Sequence, residues 1–143
     1  MYMKLQFKQL HLDAKLPSYG HSTDAGMDLY TLEEIVFQPG EQKIIPTGLA
    51  MNLPVGYAAL VWDKGSTAFN KGLKSLGGVF DAGYIGEIKI SLINLSHTIQ
   101  IIEKGAKCAQ LVVQKVEYCD IEFTDTLIDS SRGEGGFGST GKF

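Results

Sequence analysis

Apolar and polar residues alternate through most of the chain with the two-residue period of strands rather than the 3.6-residue period of helices. The clearest case is Glu87 to Leu95, where Ile88, Ile90 and Leu92 share one face and Glu87, Lys89 and Ser91 the other. Short apolar pieces at 35–37, 43–45 and 49–53 are separated by Pro39-Gly40, Pro46 and Pro54. Strands punctuated in this way predict an all-β sandwich or barrel. Cys108 to Val116 is more continuously apolar and predicts a strand buried on both faces. Only Ser66 to Leu73 reads as helix; it is short, Gly72 would end it, and Ser66 would cap its start. No repeat, linker or second domain is visible. The expectation is one domain over 1–143 with a flexible glycine-rich lid at 130–143.

Composition narrows the partners. The 143 residues are 44% hydrophobic and 20% charged, with net charge −3 and a pI near 5.5. That is ordinary globular composition with no basic stripe, which argues against a nucleic-acid polymer. No apolar run approaches the roughly 18 residues of a membrane span. The start, Met1-Tyr-Met-Lys4, lacks the apolar region of an export signal, so the expected location is cytoplasmic. Cys108 and Cys119 both fall in strand-like segments and read as free buried thiols. His11, His21 and His97 are far apart, with no paired-Cys motif, which argues against a zinc site.

Candidate chemistry begins in the last dozen residues, Arg132 to Phe143, where five glycines fall between 133 and 141. Such a tail cannot bury a core, but its free N–H groups can wrap an anion. Arg132 offers a planar fork for phosphate oxygens, and Phe137 a ring on which a base can stack. Gly136 to Lys142 matches the start of a P-loop, yet the Ser/Thr and helix that such a loop needs do not follow.

Four earlier segments carry paired readings. In Asp24-Ala-Gly26-Met-Asp28-Leu-Tyr30, a carboxylate could hold Mg²⁺ through its water shell, or both acids could simply serve a turn. In Asp63-Lys64-Gly65-Ser66-Thr67-Ala68, Lys64 and the helix start could bind an anion, or Ser66 could be an ordinary cap. In Gly77-Gly78-Val79-Phe80-Asp81-Ala82-Gly83-Tyr84-Ile85-Gly86-Glu87, glycines flank what reads as a β-hairpin. Its Asp81 could be a general base or a turn acid. In Gly105-Ala-Lys-Cys108-Ala-Gln110, the Gln needs a partner, either a phosphate oxygen or a group elsewhere in the fold.

In this order the segments resemble the five motifs of the trimeric dUTPase family, over nearly the whole chain from Asp24 to Phe143. AGMDLY resembles the first motif, DKGSTA a variant of the second, GGVFDAGYIGEI the third, GAKCAQL the fourth and RGEGGFGSTG the fifth. The resemblance implies a homotrimer of jelly-roll-like subunits with three shared sites. It implies Mg²⁺-assisted hydrolysis of dUTP to dUMP and pyrophosphate. By that similarity Asp81 activates the attacking water and Asp28 binds the metal through water. Lys64, Gly65, Ser66, Gln110, Arg132, Ser139 and Thr140 hold the phosphates. Ser75, Gly78, Val79, Asp81, Tyr84, Ile85 and Phe137 hold the nucleoside, with Tyr84 against the deoxyribose.

The chain departs from the family pattern at several of these positions. Lys64 stands where the family usually has Arg, and Gly65 where it has the phosphate-contacting Ser. Gly83 replaces a second Asp, Ile85 a polar residue, and Ser75 an Asn. These suggest a lineage variant of phage or Gram-positive bacterial kind. Two other functions share the resemblance: a dCTP deaminase-like enzyme, and a weakly catalytic dUTP-binding protein with a regulatory protein partner.

Overall fold

The computed structural model describes residues 3–136 and is built from ten strands and one helix. The strands are β1 (Gln6–Gln9), β2 (Met27–Tyr30), β3 (Ile35–Phe37), β4 (Gln42–Asn52), β5 (Tyr57–Asp63), β6 (Leu73–Ser75), β7 (Val79–Phe80), β8 (Glu87–Asn94), β9 (Gln100–Ile102) and β10 (Lys107–Lys115). The helix α1 is Gly65–Lys71. One sheet runs β1-β4-β8-β6, the other β2-β10-β5-β7, and β3 pairs with β9. The result is the expected jelly-roll-like sandwich with one short helix. Among the described residues no closed barrel forms.

The alternation along β8 works as anticipated: Ile88, Ile90 and Leu92 are buried, and Lys89 is exposed. They meet Leu29, Cys108 and Leu111 of the second sheet and Phe37 of the third in a single cluster. Fully burying side chains of this size contributes about 1.5–3 kcal/mol each. Asn94, the polar residue that ends β8's buried face, is fully buried and satisfied. Its amide donates to the Phe37 and Thr98 carbonyls at 3.3 and 2.8 Å and its oxygen accepts from Ser96 N–H at 2.9 Å.

Several sequence expectations are corrected. Pro46 does not divide two strands: residues 42–52 form one strand, because the register with β8 shifts between Pro46 and Ala50. Such an irregularity lets the proline lie where no ladder N–H is required. The strand holding Cys108 is central, between β2 and β5, but only Cys108, Ala109 and Leu111 are fully buried. Cys119 lies beyond β10 on an exposed stretch, outside any strand. Burial raises the Cys108 thiol to about 12, so it stays protonated and inert.

Candidate active site

Three strands of the second sheet bring the first, second and fourth segments together. Gln110 of β10 lies opposite Asp28 of β2 on one side and Trp62 of β5 on the other. Directly opposed residues share a face, so these three form a row across the sheet. Asp28 is nearly buried, with 5% of its side chain exposed. A buried carboxylate needs partners, and it has two. Lys64, at the end of β5, donates to Oδ1 at 2.6 Å, and Lys107, at the start of β10, approaches Oδ2 at 2.6 Å. Burial works to raise Asp28, but the bonds and charges of Lys107 and Lys64 outweigh it and hold the carboxyl below its usual range. Bonding to Asp28 raises Lys107 in turn. Two ammoniums on one carboxylate leave a local surplus of one positive charge.

Gln110 finds its partner within the fold: its amide donates to the Asp63 carbonyl at 2.8 Å. Gly26 permits this packing, since a Cβ there would stand 2.9 Å from Gln110 Cδ. The Asp63 carboxylate accepts from Ser75 N–H at 2.6 Å and from Lys74 Nζ at 2.7 Å. Burial tends to raise Asp63 as well, and the Lys74 and Ser75 bonds bring it below its ordinary value. The end of β5 therefore ties Gln110 to buried Ser75, the residue that opens the glycine-rich loop.

The helix start differs from the expected cap. Lys64 occupies the N-cap position without a side-chain cap bond, and Ser66 is an exposed residue of the first turn. Thr67 does the local bonding, donating to the Lys64 carbonyl at 2.8 Å and reaching the Cys108 carbonyl at 3.2 Å. Its burial anchors the helix and leaves the Ser66 hydroxyl outside. Gly65 is exposed and Gly72, at φ 65°, closes the helix as expected. Ser66, Thr67, Lys71 and Lys107 line a groove of about 660 Å³ between α1 and β9.

Residues 77–86 do not form a closed hairpin. Val79–Phe80 pairs with β5, whereas the chain from Glu87 pairs with β4, so the segment crosses between sheets. The Asp81 carbonyl accepts from Tyr84 N–H at 3.0 Å, and the turn leaves the exposed Asp81 side chain at its corner. Tyr84 packs against Phe80 with ring centroids 5.7 Å apart and donates to the Glu87 carbonyl at 3.0 Å. Gly78, at φ 111°, brings its carbonyl 2.8 Å from Val61 N–H; a Cβ there would stand 2.8 Å from Val61 Cβ. Ser75, Gly77, Gly78, Val79 and Trp62 line a concavity of about 330 Å³. Val79 and Ile85 are 68% and 80% exposed.

The two halves of the candidate site are separated within one chain. Phe80 lies opposite Ala59, four residues before Asp63, which is about 13 Å along the strand. Asp81 lies beyond Phe80 and Lys64 beyond Asp63, so the gap between them is longer still. Arg132 joins neither half; it is exposed and its Nε donates to the Gly135 carbonyl at 2.7 Å. Phe137, Ser139 and Thr140 lie outside the described residues. Two charged members were missed from sequence. Lys107 sits in the fourth segment three residues before Gln110, and Asp63 opens the second; only the register reveals their partners.

The donor set suits a metal carried in by a ligand rather than a resident one. Among the described residues no group of three or more His, Cys, Asp or Glu could hold an ion. Asp28 is a single carboxylate with two of its roughly four lone-pair positions taken. The rest can accept from the waters that Mg²⁺ keeps when phosphates supply its other ligands.

Fold and site together describe an all-β protein with a cluster of two lysines around a buried carboxylate on one sheet. A dUTPase family model matches residues 13–141, and the chain belongs to the dUTPase family. It is 43% identical to a deoxyuridine 5'-triphosphate nucleotidohydrolase of Thermobifida fusca, covering 97% of this chain and 79% of that protein. It is 44% identical to one of Clostridium tetani, covering 96% and 97%. Among solved structures, the dUTPase of Staphylococcus bacteriophage 80alpha with dUpNHpp superposes with TM-score 0.90 at 30% identity, over 96% of this chain and 98% of that one. That work describes phage dUTPases as controlling transfer of virulence genes by a G protein-like mechanism. A mutant dUTPase of S. aureus phage phi11, whose structure describes coordination of a structural Mg(II) ion, matches with TM-score 0.82 at 25% identity, over 89% and 100%.

Proposed function

We propose that this chain hydrolyses dUTP to dUMP and pyrophosphate in sites shared between copies of a homotrimer. The observation that carries the reading is the cationic cluster of Lys64 and Lys107 on Asp28, beside Gln110, on a chain of the dUTPase family. A triphosphate fits there: Lys64 supplies charge, the Gln110 amide and Ser66 hydroxyl supply donors, and Arg132, Ser139 and Thr140 of the tail close over the far phosphates. Asp28 would meet a Mg²⁺ ion through its bound water, and such an ion would supply charge neutralisation for the leaving pyrophosphate.

Asp81 receives the proton of the attacking water. The water oxygen bonds to the α-phosphorus, and the bond to the bridging oxygen breaks as pyrophosphate leaves. A carboxylate is a weak base. Its contribution therefore lies in placement, which in near-attack geometry lowers a barrier by up to roughly 7–11 kcal/mol. Because Asp81 and Lys64 sit far apart along β5, the reading requires Asp81 from one subunit to serve the phosphate row of another. The concavity at Ser75, Gly78 and Val79 takes the uracil edge; Ile85 lines a separate hollow with Phe7 and Met51. Tyr84 packs against the deoxyribose and excludes a 2′-hydroxyl, and Phe137 covers the base.

Pyrophosphate release from dUTP, dTTP, dCTP and UTP, each with Mg²⁺ and with EDTA, tests the reading. Release from dUTP alone, lost in EDTA, is expected. Ammonia from dCTP would move the chain to deamination, and tight dUTP binding without turnover to a regulatory role like that described for the phage relatives.

A further inference from the structure

We infer that Lys74 reads the base: its ammonium donates to the 4-carbonyl of uracil and rejects the 4-amino group of cytosine. This rests on the nucleotide reading above and adds a specificity-determining residue to it. Lys74 lies in β6 and lines the concavity that Ser75, Gly78 and Val79 also form. Its Nζ sits 2.7 Å from Asp63 Oδ2, and 49% of its side chain is exposed. A free lysine would roam over the mouth of that concavity. This one is pinned by a residue of the other sheet, and Asp63 accounts for one of its three donors.

The neighbouring groups leave the reading to Lys74. Ser75 is buried and gives its N–H to Asp63 Oδ1 at 2.6 Å. The Gly78 carbonyl is taken by Val61 N–H at 2.8 Å. Asp63 is the acceptor that an amino group would seek, but it already receives Ser75 on one oxygen and Lys74 on the other. The mouth of the concavity therefore presents a fixed donor beside engaged acceptors. An ammonium has no lone pair. A carbonyl oxygen meets it as an acceptor, whereas an amino group meets it donor against donor. Discrimination of this kind comes from an unpaired polar group in the wrong complex as much as from the bond in the right one.

Isothermal titration of the full-length protein with dUMP and with dCMP, and separately with dUpNHpp and Mg²⁺, tests this in wild type, Lys74→Met and Lys74→Arg. The wild type should bind dUMP more tightly than dCMP. One charged hydrogen bond at a half-exposed site predicts about a 10-fold loss of dUMP affinity in Lys74→Met. Affinity for dCMP should stay the same or rise, so the preference for dUMP falls. The ratio of kcat/KM for dUTP to that for dCTP should fall with it, and Lys74→Arg, still a donor, should keep both preferences. An unchanged preference in Lys74→Met overturns the inference, as do equal losses for both nucleotides with a lowered Tm, which would mark a purely structural partner of Asp63. A wild type that binds dUpNHpp but takes dUMP and dCMP alike overturns it too. Failure of the wild type itself to bind dUpNHpp would instead overturn the nucleotide reading, and the inference with it.

Discussion

Asp28 shows how one residue ties stability to function. Its carboxylate is buried yet ionised because two ammoniums outweigh the cost of burial. A carboxyl with a depressed folded-state pKa contributes stability above its unfolded value, near 3.9, and loses it as pH falls through the folded value. Asp63 follows the same rule. Thermal melts should therefore change little through neutral pH and fall below about pH 4. Asp28→Asn should cost about 1–3 kcal/mol at pH 7 and flatten that acid loss. The cost stays modest because both lysines can turn to water. An Asp28→Asn melt that tracks the wild type at every pH would contradict the pairing. None of this was legible locally: Asp28 and Lys64 are 36 residues apart, and either reads alone as a surface charge.

At the scale of elements, the junction of β5, β6 and α1 does the positioning. Asp63 holds Gln110 through its carbonyl and the Ser75 backbone through its carboxylate. Asp63→Ala should leave the sandwich folded and the Gln110 bond to the residue-63 carbonyl in place, but free the Ser75 end, raising KM for dUTP severalfold and lowering Tm, as expected for loss of a charged hydrogen bond of about 1.5–3 kcal/mol. Unchanged KM would assign Asp63 to stability alone. The strands themselves were readable because alternation reports directly which face is buried, as in β8. The continuation of β4 through Pro46 was not, because a register shift has no local signature. The helix cap failed for a related reason: buried Thr67 took the bonding role expected of Ser66, and its anchor at Cys108 lies 41 residues away. The loop at 77–86 read as a hairpin because glycines bracket two apolar arms, but its arms pair with different sheets.

For the whole molecule, the decisive feature is the distance within one chain between the two halves of the proposed site. Asp81 and the Lys64–Asp28–Gln110 row stand at opposite ends of β5. The motifs were recognisable in order along the chain, but sequence order does not say which of them meet in one subunit. Exposed Val79, Ile85 and Trp62 flank the site, as a surface that a second copy covers would require. The most direct measurement mixes two inactive variants. Asp81→Asn lacks the base, and a Lys64→Ala, Gln110→Ala double variant lacks the phosphate row. Each alone should show little turnover of dUTP. Refolded together into mixed trimers, they should regain activity, because some sites then combine an intact Asp81 with an intact row from a neighbour. Mixed trimers that form, by mass, yet remain inactive would contradict the shared site, and an active Asp81→Asn enzyme would contradict the base.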